Sequence, residues 1–128
     1  MPDDTTQSFY FHDYETFGTN PRRDRPAQFA GRRVEVTFPG DPSQPCRFDC
    51  GKDYDVFYCK PGPDGLPSAE ACLITGITPQ RCEAEGVSEA EFAARIHSRF
   101  ARPGTVSLGY NSLHFDDEVT RFLFWRTL

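Results

Sequence analysis

Phe9-Tyr-Phe-His-Asp-Tyr-Glu-Thr-Phe-Gly18 is the stretch on which the fold turns. Aromatic side chains favour an extended chain, so Ser8 to Tyr14 reads as a β-strand that belongs at the centre of a sheet. Gly18 and the turn before Pro21 end it. Residues two apart on a strand share a face, so Asp13 and Glu15 project together while His12 and Tyr14 point the other way. Two carboxylates side by side in a partly buried place repel by roughly 4 kcal/mol at ~4 Å and an effective dielectric near 20. A bound divalent cation reverses that sign. Hard oxygen ligands suit magnesium or manganese, and paired ions of this kind clamp the attacking and leaving oxygens in phosphoryl transfer. A solvated strand end is the plainer alternative. Asp53/Asp55, Glu83/Glu85, Glu89/Glu91 and Asp116/Glu118 share the spacing, mostly on expected helices or loops where acids face water.

Outward from that strand, the chain reads as alternating strands and helices. Ten of the Gly and Pro residues fall between Pro39 and Pro67, with Asp55 to Lys60 the one strand-like run among them. Thr78-Pro79 supplies an N-cap and a first-turn proline for a short helix over Gln80 to Glu85, which Gly86 closes. Ser88-x-x-Glu91 is a capping box that opens a second helix. Within it Phe92, Ile96 and Phe100 recur every fourth residue and present one apolar face to a sheet, leaving Arg95 and Arg99 solvated. Thr105 to Tyr110 reads as a buried strand that Asn111-Ser112 breaks. From Phe115 a further helix buries Val119, Phe122 and Leu123, with Asp116, Thr120 and Arg121 directed elsewhere. Asp116 and Asp117 in its first turn are explained structurally by the helix dipole. They also fall near a strand end, where open α/β sheets collect ligands.

Composition sets the bounds. The chain has 128 residues, 38% hydrophobic and 26% charged, which fits one globular domain rather than a disordered chain. Mean hydropathy is −0.58, and no apolar run approaches the roughly 20 residues of a membrane span. Without a signal-like start, a soluble cytoplasmic protein is expected. A net charge of −5 offers no broad basic footprint for nucleic acid. Any polyanion must be held locally or through metal ions. The five cysteines lack the spacing of a tetrahedral zinc set and are expected to be free thiols.

Five segments carry a specific resemblance: Phe11 to Gly18 with Asp24 to Phe29, Leu73 to Gln80, Phe92 to His97, and Gly109-Tyr-Asn-Ser-Leu-His-Phe-Asp-Asp-Glu-Val-Thr-Arg121. In this order they resemble the bacterial exonuclease I family, within the DEDD (DnaQ-like) 3′-to-5′ exonucleases. The resemblance implies an α/β fold, a ribonuclease-H-like mixed sheet with flanking helices. It implies that Asp13 and Glu15 bind the catalytic divalent ions, two Mg2+ with Mn2+ possible, and that Glu15 also contacts the terminal 3′ nucleotide. Asn111-x-x-x-Phe115-Asp116 matches the second motif, whose acid completes the site; this favours Asp116 over Asp117. Thr75-Gly-Ile-Thr78 resembles the segment beside the terminal base, with Thr78 a substrate contact. Arg121 stands where the family places a cation near the strand. The implied activity is 3′-to-5′ degradation of single-stranded DNA to nucleotides by metal-assisted phosphodiester hydrolysis, in DNA repair and recombination. A single-strand-binding protein is the implied partner.

Two departures shape the expectation. The family's general base is a His in a third motif, His-x-x-x-x-Asp, and neither His12, His97 nor His114 is followed by such an Asp. The chain also stops on Phe122-Leu-Phe-Trp125, an aromatic helix face with nothing after it to cover it. Residues 1 to 128 are therefore read as the N-terminal part of an exonuclease domain, C-terminally incomplete and inactive alone. Between Gly31 and Asp55 the clean apolar alternation of a second strand is missing, and 31–55 is read as a divergent, loop-rich segment. The alternatives are a non-catalytic remnant that binds metal or DNA, and a polymerase-associated proofreading exonuclease. A carboxylate-pair glycosidase is set aside, because its two acids must flank a sugar from opposite sides.

Overall fold

The computed structural model describes residues 2–52, 54–63, 67–110 and 114–128. In chain order it contains β1 (Thr5–Thr16), β2 (Pro26–Phe38), β3 (Arg47–Asp49), β4 (Asp55–Tyr58), α1 (Ala69–Thr75), α2 (Pro79–Glu85), α3 (Glu89–Phe100), β5 (Thr105–Leu108) and α4 (Asp116–Thr127). As the aromatic stretch predicts, β1 is central. It pairs antiparallel with β2 along its whole length, from Thr5 opposite Phe38 to Thr16 opposite Pro26, and parallel with β5 from Ser8 opposite Thr105 to Phe11 opposite Leu108. β3 and β4 both pair antiparallel with the far edge of β2, at different heights. The sheet is mixed, with its helices flanking it.

β2 corrects the expectation for 31–55, because the first eight residues of that segment are strand. The Arg32-Arg33 pair hides the alternation. Arg33 takes a helix-facing position and is tolerated there because Nη1 donates to Ser8 Oγ (2.8 Å) and Thr105 Oγ1 (2.7 Å) and Nη2 to the Arg99 carbonyl (2.7 Å). Gly31 continues the strand because the Tyr10 ring fills the space that a Cβ would need. Only from Pro39 to Lys52 does the described segment become loop around the three residues of β3.

The core lies between one face of the sheet and the helices. Tyr10, Tyr14 and Phe29 pack with Phe92, Ala93 and Ile96 of α3 and with Val119 and Leu123 of α4. Each large apolar side chain buried there contributes about 1.5–3 kcal/mol. Ser88 Oγ accepts from the Glu91 N–H and Thr78 Oγ1 from the Arg81 N–H, so both capped helix starts form as read. α1 has no counterpart in the sequence reading. It is capped by Ser68 and closed by Gly76 at φ 73°, but it buries no residue and so carries no apolar period. β5 is shorter than expected and largely exposed, an edge strand rather than a buried one. All five cysteines are free, and no helix among the described residues is long and apolar enough to cross a membrane.

Candidate active site

β5 leaves β1 at Phe11, and among the described residues no strand pairs with that edge of β1 from His12 onward. α4 starts against this open edge. Asp116, read as lying off the apolar face of this helix, is 3% exposed and turned toward β1. There the Tyr14 backbone N–H donates to its carboxylate. Thr120, also expected to face elsewhere, meets the Tyr14 hydroxyl at 2.7 Å. The two contacts have different causes: a backbone N–H left on the sheet edge draws the Asp116 carboxylate, and the phenol of the buried Tyr14 draws Thr120.

The three acids named from the sequence act on one another. Burial, then the Asp13 carboxylate, pushes the Asp116 pKa up to about 6, and Asp117 and Glu15 add in the same direction against the Tyr14 N–H. Glu15 is raised by burial and then by Asp13. Among the described residues no cation offsets either group. The arrangement is a concentration of negative charge at the end of β1, with Asp116 rather than Asp117 as its buried member. Among the described residues no group of three or more His, Cys, Asp or Glu already forms a metal cage. Carboxylates must turn inward to grip an ion. The donor set is all hard oxygen, and relief of its mutual repulsion is what a divalent cation supplies.

Beside Glu15 lies a cavity of about 180 Å³, walled by Ile74 and Thr75 of α1 and by Phe115. Ile74 is 77% exposed, so an apolar wall stands ready for a flat ligand. Thr78 is not part of this wall; its hydroxyl caps α2. Ile74 and Thr75 are the residues that sequence reasoning left without individual roles. Their signal was present in the Leu73 to Gln80 segment. Arg121 lies on the outer surface of α4, where Nη2 pairs with Glu118 at 2.7 Å. Asn111 of the second motif lies outside the described residues, as does Asp53. Of the histidines, His12 is buried on the helix side against Phe29 and Phe100, and His97 packs edge-on to Phe124. His114 is exposed.

Residues 10–128 match the family model described as Exonuclease, RNase T. The chain belongs to this exonuclease family. The chain is 55% identical over 129 residues to the exodeoxyribonuclease I of Escherichia coli K12. That match takes in 98% of this chain and 25% of the E. coli protein, so the chain spans about a quarter of the relative's length. Among solved structures it resembles E. coli exonuclease I in complex with a dT13 oligonucleotide (TM-score 0.78), an exonuclease I complex with SSB-Ct (0.79), and zinc-bound E. coli exonuclease I with single-stranded DNA (0.80). Each shares 53% identity over 94% of this chain and 24% of the compared chain. The mixed sheet with flanking helices is thus the exonuclease I fold over the part that this chain covers.

Proposed function

We propose that this exonuclease chain supplies the first two acidic motifs of a 3′-to-5′ exodeoxyribonuclease acting on single-stranded DNA. The observation that supports the reading is the burial of Asp116 in the first turn of α4 against β1, within electrostatic reach of Asp13 and Glu15. Asp13 and Glu15 would hold the metal directly and Asp116 would complete the set. Magnesium suits the all-oxygen donors, with manganese the second choice. Two divalent ions bound there would offset charge on both the attacking and the leaving oxygen of a phosphodiester.

The chain's own residues do the positioning. Glu15 stands between the acid cluster and the cavity, so a 3′-terminal nucleotide held against Ile74 and Phe115 would present its phosphate to the acids. Thr78 and Arg121 are kept as outer substrate contacts, at the head of α2 and on α4. Contact through an apolar wall is tolerant of base identity, as a degradative nuclease requires. The relatives' names favour this role over a polymerase-bound proofreader. A single-strand-binding protein is the proposed partner and the cytoplasm the proposed location.

A second reading, a metal- or DNA-binding module without turnover, is favoured by one observation: His12 is buried in the interior, His97 is exposed on α3 with its ring against Phe124, and neither they nor His114 have the following Asp of the third motif. We accordingly expect purified 1–128 to digest labelled single-stranded DNA barely, if at all, with magnesium. The site is tested by melting instead. A cation at ~100 times its Kd stabilises the folded state by about 2.7 kcal/mol. Magnesium or manganese should therefore raise the midpoint of the chain, and Asp13→Asn should abolish the rise. An unchanged midpoint with both ions, or an equal rise in the variant, would overturn the proposal.

A further inference from the structure

Where β4 begins and α3 ends, a cavity of about 350 Å³ opens on the helix side of the sheet. Arg33, Arg99 and Arg102 line it, and Asp55 is the one acid among its described lining residues. That acid is already neutralised. Arg99 donates to it from Nε (2.9 Å) and Nη2 (3.2 Å), and the Tyr10 hydroxyl donates at 2.6 Å. Among the described residues, Arg33 and Arg102 are paired with no carboxylate. Arg33 is fixed by neutral acceptors alone, the hydroxyls of Ser8 and Thr105 and the Arg99 carbonyl, with its guanidinium 5.1 Å from the centre of the Tyr10 ring. Three of the five guanidinium hydrogens are used in this way, so donors remain. Arg102 is exposed at the rim, and Tyr54, 69% exposed, faces it as an aromatic lip.

A concave, locally cationic site in a chain of net charge −5 calls for an anion. Planar guanidinium groups match the geometry of phosphate oxygens, and an immobilised one loses little entropy on binding. We propose that this cavity binds the phosphate group of a nucleotide, with Arg33 and Arg102 taking its oxygens and Tyr54 stacking on the base. None of Asp13, Glu15 and Asp116 lines it, so the site is separate from the acid cluster and independent of the catalytic reading. Its volume falls at the lower end of the range for small-molecule sites, ~300–1,000 Å³.

The test is calorimetric titration of the chain in EDTA, which silences the metal site, with inorganic phosphate, dTMP, thymidine and a short oligothymidylate. Phosphate and dTMP should bind and thymidine should not. Arg102→Glu, a surface change that leaves the Arg99 and Asp55 pair intact, should weaken dTMP at least about tenfold. Tyr54→Ala should weaken dTMP but not inorganic phosphate. Binding of the oligothymidylate in competition with dTMP would identify strand phosphates as the source; binding of dTMP alone would identify a free mononucleotide. No heat with phosphate or dTMP at millimolar concentration, or equal affinity in Arg102→Glu, would refute the assignment.

Discussion

The two faces of β1 are made by alternate residues of one stretch, yet they meet different fates. Tyr10, His12 and Tyr14 are consumed by packing under α3 and α4, whereas Phe11 is 46% exposed and Asp13 beside it faces solvent. The covered face is apolar, and its few polar atoms are mostly satisfied within the fold. The open face ends in carboxylates that no cation among the described residues neutralises. Stability and chemistry are therefore separated by a single residue of register, because a one-residue slip would exchange the two sets.

The largest effect that tests this division is a pair of truncations. Phe92→Ala removes a fully buried ring from α3 and should cost about 3–5 kcal/mol in urea-unfolding free energy. Phe11→Ala, on the other face of the same sheet, should cost under ~1 kcal/mol. Equal losses would mean that the open face carries the fold as much as the covered one does.

The next effect has the opposite sign. Asp116 has its pKa raised to about 6 from an ordinary 3.8, so the folded state binds its proton more tightly than the unfolded chain does. Stability contributed by the protonated form is complete below the unfolded value and is lost as pH rises through about 6. Asp116→Asn cannot ionise. Without divalent cations it should gain up to about 3 kcal/mol over the parent at about pH 8, and little at about pH 4. A variant less stable than the parent at the higher pH would show that the carboxylate is a structural cap, not an uncompensated charge.

These contrasts also show what the sequence disclosed. The caps at Thr78 and Ser88, the central aromatic strand and the Phe92, Ile96 repeat are local patterns, and the structure contains each of them. β2 escaped because Arg33 is held by Ser8 and Thr105, residues 25 and 72 positions away, and no local window reveals that. α1 escaped because a helix that buries nothing has no apolar period. At the site, the acids were named from a motif, but the inward turn of Asp116 depends on β5 ending at Phe11, which is a tertiary fact.

The smallest effect asks how Asp116 is held. Thr120 donates its one hydroxyl hydrogen to the Asp116 carbonyl at 3.1 Å, so the Tyr14 hydroxyl must be the donor in its 2.7 Å contact with Thr120. This chain ties the first turn of α4 to β1 through side chains, while the Asp116 carboxylate itself is held by the Tyr14 backbone N–H. Tyr14→Phe removes only the phenol link and should lower stability by about 1 kcal/mol. The backbone contact survives the change, so the magnesium-induced rise in melting midpoint should remain. If that rise disappears with the hydroxyl, the site depends on the covered face after all, and the division between packing and chemistry along β1 is less sharp than its alternation implies.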